Sequence, residues 1–299
     1  EMIQMPSFID YMKVRGSFSS VGMPYPRNLT SPTYEYNEAT QSWKPKTHYP
    51  IGDLKPERTD SWEVGLDMKL FKDFNLGLSW YLANTFNQTF DPQISVSSGY
   101  TTIYLQTGYV RNTGLELSLG YGHTWNNNFR WDSNFTLSHN KNKIKELVRD
   151  YVHPETGELI NKDRLDVGGL GKARFILKEG GTLGDLYTQS DLKRDDNGMV
   201  DIDPTGIVAI ENNLPDIKLG SVFPKANLAW SNHFSWKGIS LSALFTARIG
   251  GIVYSATEAA MDQYGVSERS ALARDNGGVL VNNRTLVDAQ NYYTTIGSE

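Results

Sequence analysis

Residues 113–123 read TGLELSLGYGH, and the alternation within this stretch decides the fold class. Leu115, Leu117, Leu119 and Tyr121 occupy every second position, and small or charged residues fill the positions between them. Successive side chains of a β-strand point to opposite faces of the sheet. The stretch therefore predicts a strand with one apolar face and one polar face.

The same alternation recurs in six further segments, which begin near residues 12, 62, 75, 129, 226 and 239. In one of them Trp62, Val64 and Leu66 alternate with Glu63 and Gly65. Most of the segments are about 10 to 13 residues long, whereas strands of soluble proteins usually have about 5 to 6. A tilted strand that crosses a membrane needs about 9 to 11 residues, so the lengths favour a membrane β-barrel.

The connections between the segments alternate between short and long. Tight turns are predicted at 71–74, 124–128 and 236–238, and long loops at roughly 20–58, 86–107, 141–223 and after 250. Outer-membrane barrels have short periplasmic turns and long extracellular loops. Aromatic residues beside the short turns fit an interfacial girdle: Phe71, Phe74, Trp125, Phe129, Trp131, Phe234 and Trp236.

Composition excludes several other classes of protein. The 299 residues include no cysteine, which removes disulfide frameworks and thiolate chemistry. The net charge of −5 argues against a nucleic-acid partner. No apolar run is long enough for a transmembrane helix. The mean hydropathy of −0.45 is compatible with a barrel, because barrel strands are apolar on one face only.

Several motifs resemble those of TonB-dependent receptors. The segments 54–65 (LKPERTDSWEVG) and 108–116 (GYVRNTGLE) resemble barrel strands found across that superfamily. The segments 13–22 (KVRGSFSSVG), 179–187 (EGGTLGDLY) and 223–250, with its turn at Trp236-Lys237-Gly238, are similar to the SusC/RagA branch of Bacteroidetes. Together the matches cover about residues 10 to 250.

The resemblance implies an all-β fold: an antiparallel transmembrane β-barrel segment that supplies about eight long strands of a larger, 22-stranded barrel with a plug in its lumen. Residues 1–299 would form the C-terminal part of that barrel domain, without the N-terminal plug and the final strands. It also implies active import of oligosaccharides across the outer membrane of a Gram-negative bacterium. The implied partners are a SusD-like surface lipoprotein and outer-membrane lipid, with TonB–ExbB–ExbD acting through the absent N-terminal region.

Charged residues on the polar side of the predicted strands are candidates for the lumen wall, where they would contact the plug, water or substrate. The lumen-facing set comprises Lys13, Arg15, Glu63, Asp67, Glu116, Arg130, Asp132 and Arg248, with Lys69 and His233 as further members.

Aromatic residues in the predicted loops are candidates for substrate binding, because sugars stack their C–H faces on aromatic rings. This set comprises Trp43, Tyr100, Tyr104, Tyr109, Tyr187, Tyr254 and Tyr264.

No catalytic or cofactor motif is present, so the sequence predicts neither an enzyme nor a bound cofactor. The one alternative is a calcium ion in an extracellular loop, with Asp201 and Asp203 as ligands. An EF-hand frame that starts at Asp201 places Asn212 at the twelfth position, where a bidentate Glu is required. Clusters of Asp, Asn and Gly are also ordinary turn chemistry.

Three competing functions stay open at this point. The first is a siderophore, cobalamin or peptide receptor of the same superfamily. The second is an outer-membrane barrel enzyme, which would need a catalytic site at the barrel rim. The third is a passive porin, which would have no plug.

Overall fold

The structure is a computed structural model that describes residues 6–24, 36–43, 48–49, 55–90, 102–125, 128–152, 157 and 159–297. The chain forms two compact units. The first contains Glu1–Leu165, Leu177–Leu183 and Phe223–Gly251. The second contains Asp166–Ile176, Gly184–Val222 and Ile252–Glu299.

Strands make up most of the described chain. They are β1 (Ile9–Met23), β2 (Tyr36–Asn37), β3 (Ser42–Trp43), β4 (His48–Tyr49), β5 (Glu57–Leu70), β6 (Phe74–Phe90), β7 (Thr102–Ile103), β8 (Leu105–Trp125), β9 (Phe129–Glu146), β10 (Val148–Val152), β11 (Leu159–Lys162), β12 (Arg164–Leu170), β13 (Ala173–Lys178), β14 (Asp185–Leu192), β15 (Ile210–Ser221), β16 (Ala226–Trp236), β17 (Ile239–Ile249), β18 (Val279–Val281) and β19 (Thr285–Val287). The helices are α1 (Ala256–Gln263), α2 (Glu268–Asp275) and α3 (Ala289–Gly297).

The first unit is built on one antiparallel sheet with the order β1-β5-β6-β8-β9-β16-β17. The pairing keeps the alternation of all seven strands in phase, so apolar residues meet apolar residues across the sheet. One such row runs Val14, Leu66, Leu78, Leu117, Leu137, Leu228 and Ala247. The pairing confirms the long antiparallel strands of the predicted fold class.

The described part of this sheet has seven long strands, one fewer than the eight predicted. The strands are longer than the alternation indicated, because pairing continues into segments predicted as loops. β9 extends to Glu146 and β8 begins at Leu105, so their pairing reaches beyond the apolar rows. The predicted loops 141–223 and after 250 are also not plain loops, since they contain β10–β15 and all three helices.

The predicted tight turns at 71–74 and 236–238 are present. Lys237 and Gly238 both have positive φ, 46° and 87°, and join Trp236 to Ile239 as a two-residue hairpin loop. Such loops suit the right-handed twist of paired strands, and glycine takes this backbone conformation without steric cost. In the turn predicted at 124–128, residues 126 and 127 lie outside the described residues.

The second unit has its own small core. Val208, Val281 and Val287 are buried together, and Leu192, Val200, Ile202, Val279 and Tyr292 pack around them. Ser255 and Ser267 cap the N-termini of α1 and α2 by accepting backbone N–H groups. Among the described residues, no helix combines the length and apolar character needed to cross a membrane.

Candidate functional site

The polar face of the seven-stranded sheet is the candidate site. Its central row runs in register from the first strand to the last: Arg15, Gly65, Ser79, Glu116, Ser138, Asn227 and Arg248. All eight residues predicted to face the lumen lie on this face, because each pairs within a polar row. The polar face of the seven-stranded sheet is called the wall here.

The sheet curves around its polar face. A cavity of about 650 Å³ is lined by residues from all seven strands, from Arg15 on β1 to Arg248 on β17. Seven flat strands at about 4.8 Å spacing would place the outer two about 29 Å apart, too far to share one small cavity. A second cavity, of about 830 Å³, lies further toward the tight turns and is lined by Lys69, Asn134 and His233 among others.

Arg15 contacts three other side chains of the polar face. Its guanidinium lies 3.4 Å from Glu63 Oε1 and 3.5 Å from Asp67 Oδ2, and it donates a 2.5 Å hydrogen bond to Ser79 Oγ. It also lies over its cross-strand partner Gly65, where an ideal Cβ would meet the Arg15 Nε at 2.3 Å. The absence of a side chain at Gly65 therefore lets Arg15 lie flat along the wall.

Further polar contacts line the same face. Arg130 binds Asp132 through two hydrogen bonds of 2.6 and 2.8 Å, near the tight turns. His233 Nδ1 lies 2.8 Å from Ser242 Oγ. The wall thus presents charges of both signs together with hydroxyl and amide groups, which suits a polar solute and water.

The opposite face is apolar and carries an aromatic run at the tight-turn end. The ring centroids of Phe74 and Tyr121 are 4.8 Å apart, those of Tyr121 and Trp131 are 5.3 Å apart, and those of Trp131 and Phe234 are 5.9 Å apart. The run crosses four adjacent strands, which is the arrangement of an interfacial girdle.

Asn232 and Ser133 are polar residues within the apolar rows of β16 and β9, and each accepts a hydrogen bond from a tryptophan. The indole N–H of Trp131 donates to Asn232 Oδ1 at 3.1 Å, and that of Trp230 donates to Ser133 Oγ at 2.9 Å. In a lipid environment an unsatisfied polar group costs several kcal/mol. These hydrogen bonds make the face compatible with lipid.

The predicted substrate-binding aromatics are divided between the two units, and those that the structure describes lie on different elements. Trp43 packs against Tyr36 in the β2–β3 hairpin and is 64% exposed. Tyr104 lies between β7 and β8. Tyr254 lines a cavity of about 240 Å³ in the second unit, and Tyr264 ends α1. Tyr100 lies outside the described residues.

Two further aromatics lie within longer strands rather than loops, and their placement was wrong. Tyr109 lies within β8 on the apolar face, where its ring stacks on Phe86 with centroids 4.9 Å apart. Tyr187 lies within β14 and is 6% exposed. Neither residue was predicted to lie in a strand, because strand pairing continues beyond the residues that show clear alternation.

The weak calcium candidates are occupied by protein contacts. Asp201 Oδ2 accepts a 2.8 Å hydrogen bond from Lys193 Nζ. Asp203 accepts from Thr205 and from the backbone N–H of Ile207, and these hydrogen bonds hold the pKa of its carboxyl below the usual range. Among the described residues, no group of three or more His, Cys, Asp and Glu side chains could hold a metal ion.

Sequence reasoning missed the uncharged members of the wall. Ser79 is 8% exposed and accepts from Arg15, and Tyr81 donates to Asn140 Oδ1 at 3.2 Å. Ser79 and Tyr81 occupy strand positions of the same parity as the charged residues. The alternation alone could therefore have placed them on the polar face.

Known proteins match this chain in sequence and in fold. The family described as TonB dependent receptor-like, beta-barrel, matches residues 7–208. TonB-dependent receptor P39 of Formosa agariphila is 27% identical over 191 residues, which cover 62% of this chain and 17% of that protein. TonB-dependent receptor P26 of the same organism is 26% identical over 220 residues, 68% of this chain and 21% of that protein.

The solved structures agree with the fold. The RagAB peptide importer in its closed-closed state aligns with a TM-score of 0.63 at 19% identity, covering 84% of this chain and 28% of that chain. The RagAB peptide transporter aligns with a TM-score of 0.61 at 19% identity, covering 82% and 27%. The chain thus spans about a fifth of the length of the curated relatives it matches.

Proposed function

Since the chain belongs to the TonB-dependent receptor-like β-barrel family, we propose that it forms part of the lumen wall of a SusC/RagA-type transporter that imports oligosaccharides. Like the rest of its family, the chain is located in the outer membrane. Transport, substrate and partners belong to the whole protein, of which this chain is one part.

The observation that carries the proposal is the shared cavity on the polar face. Residues of all seven strands line it, while the opposite face is apolar and bears the aromatic run. A sheet that is polar inside its curvature and apolar outside is the arrangement of a barrel wall around an aqueous lumen. The remaining strands and the plug would come from other parts of the protein.

Partner proteins would supply the energy for import and would capture the substrate. TonB–ExbB–ExbD would act through an N-terminal region, and a SusD-like surface lipoprotein would cover the extracellular end. The family match supports the TonB partner, and the RagAB importer, which this chain resembles in fold, supports a second subunit. No catalytic role is proposed.

A peptide is the second candidate substrate. One observation favours it: the fold resembles that of the RagAB peptide importer. The wall also places Arg15 between two carboxylates, and such mixed charge suits the termini and side chains of peptides.

Uptake by cells that express the full-length protein tests the proposal. We expect uptake of a labelled oligosaccharide pool to require both the protein and TonB, and an equimolar peptide pool to compete weakly. If the cells take up peptides but no oligosaccharide, the substrate is a peptide, the second candidate. Uptake that persists without TonB would contradict active transport and indicate a passive pore.

A further inference from the structure

A basic cluster lies on the apolar face, beyond the end of its apolar rows. The register between β8 and β9 pairs Leu117 with Leu137, then Leu115 with His139, Thr113 with Lys141 and Arg111 with Lys143. These residues share one face because side chains alternate along a strand. Arg111, Lys141 and Lys143, called the outer basic cluster here, therefore follow directly on the apolar surface, at the end away from the tight turns.

No carboxylate of the described residues lies within 4 Å of these three cations. Arg111 Nε donates to Asn84 Oδ1 at 2.9 Å, and a second guanidinium nitrogen donates to the Tyr109 hydroxyl. These contacts fix the position of the guanidinium without neutralising its charge.

Two acidic residues in the same part of the sheet are already engaged. Asp60 accepts from Arg58 at 2.8 Å and from Ser20 at 2.6 Å. Glu146 faces Arg149 at 4.0 Å. Like charges directly opposite one another across two strands are destabilising, so the Arg111–Lys143 pair favours a bound anion.

We propose that the outer basic cluster binds the phosphate groups of the glycolipid in the outer leaflet of the membrane. The cluster lies on the face that contacts lipid and at the edge of the apolar rows, where lipid headgroups begin. In the proposed orientation the tight turns are periplasmic, so this edge lies in the outer leaflet. Basic residues at such an edge attract anionic headgroups, and arginine matches phosphate with two parallel hydrogen bonds.

The position of the outer basic cluster along the strands supports glycolipid phosphate as its ligand. Arg111 lies six residues from Leu117, or about 20 Å along the strand at about 3.4 Å per residue. The aromatic run marks the other edge of the same face, with Tyr121 four residues from Leu117 in the opposite direction. The cluster and the aromatic run thus bracket the apolar rows.

Binding of purified lipopolysaccharide to the full-length, delipidated protein in non-ionic detergent tests the proposal. We expect wild-type protein to bind lipopolysaccharide more tightly than the same material after enzymatic dephosphorylation. The Arg111→Gln/Lys143→Gln variant should bind lipopolysaccharide roughly thirtyfold more weakly, since each basic residue near the headgroups contributes about one factor of five. Dephosphorylated material should bind wild type and variant alike.

Two further variants make the test specific. Lys72→Gln/Lys237→Gln removes the same charge at the tight turns and should leave lipopolysaccharide binding unchanged. Lys141→Gln/Lys143→Gln leaves the Arg111–Asn84–Tyr109 contacts intact and should still weaken binding by tenfold or more. Equal binding of phosphorylated and dephosphorylated material, or equal losses in the cluster and tight-turn variants, would overturn the proposal. Tight binding of inorganic phosphate alone, with no preference for the lipid, would overturn it as well.

Discussion

The ring of Tyr81 lies over Gly114, its direct partner across the β6–β8 pair, so closely that an ideal Cβ on the glycine would be 2.2 Å from the ring. The tyrosine hydroxyl reaches on to Asn140 Oδ1 on β9, at 3.2 Å. One side chain thereby spans three strands of the polar face. An aromatic ring that covers a cross-strand glycine is a known device for fixing strand register.

Substitution of Gly114 tests this relationship. We expect Gly114→Ala to destabilise the barrel by about 1–3 kcal/mol, because the new methyl group would displace the Tyr81 ring. Gly120→Ala is the matched control in the same strand, since its nearest neighbour atom would be 3.5 Å away. Thermal unfolding of the full-length protein, followed by heat-modifiable gel mobility, measures both. The double variant Tyr81→Ala/Gly114→Ala should cost less than the sum of its parts, and a strictly additive result would argue against the contact.

A lysine substitution on each face of β8 tests which face contacts lipid. Leu117 lies in the middle of the apolar rows, so Leu117→Lys should cost about 2–4 kcal/mol at the membrane midplane. Ser118→Lys places the same charge on the polar face and should cost far less. The amount of folded protein in isolated outer membranes measures both effects. Equal losses in the two variants would contradict the assignment of the faces.

Removal of Arg15 should change selectivity more than stability. Its ion pairs with Glu63 and Asp67 are partly exposed, and such pairs contribute about 0–1 kcal/mol each. Arg15→Gln leaves both carboxylates uncompensated in the cavity, so uptake of an anionic oligosaccharide should fall more than uptake of a neutral one of equal length. Arg15→Lys keeps the charge and serves as the control. A similar fall for both substrates in Arg15→Gln would contradict an electrostatic role.

A buried carboxylate makes α1 and α2 sensitive to acid. Burial of Asp262 raises its pKa, but hydrogen bonds from Arg269 and Ser267 outweigh burial and hold the pKa below the usual value. An unfolded aspartate titrates near about 3.9. The contribution of Asp262 to stability is therefore fully present above about pH 4, and it is lost as the pH falls through the lower folded value.

Hydrogen exchange of the full-length protein measures this sensitivity. Amides of α1 and α2 should keep their protection from pH 7 to about pH 4 and lose it below that. Asp262→Asn should lower their protection by about 1–3 kcal/mol at neutral pH and remove most of the acid sensitivity. Glu268→Gln, a change in the first turn of α2, is the control. Protection that declines steadily between pH 7 and pH 5 would point to a different group.

Sequence reasoning reached the barrel strands and their faces, but it reached the candidate site only in part. All eight charged wall residues lie on the polar face, because parity along a strand fixes the face of every side chain. Ser79 and Tyr81 were left out because only charged residues were selected. Tyr109 and Tyr187 were placed in loops because the first residues of β8 and the strands between residues 148 and 221 show little alternation.

The sequence by itself determined which residues share a face, where the tight turns lie and which family the motifs resemble. These properties are local, since a period of two and a Lys-Gly turn depend only on neighbouring residues. Only the tertiary structure decided which strands pair beyond the alternation, how Arg15 and Tyr81 lie over glycines of adjacent strands, and where Arg111 meets Lys143. Those relationships depend on the register between strands far apart in sequence, and register is set by the packing of whole faces rather than by any one segment.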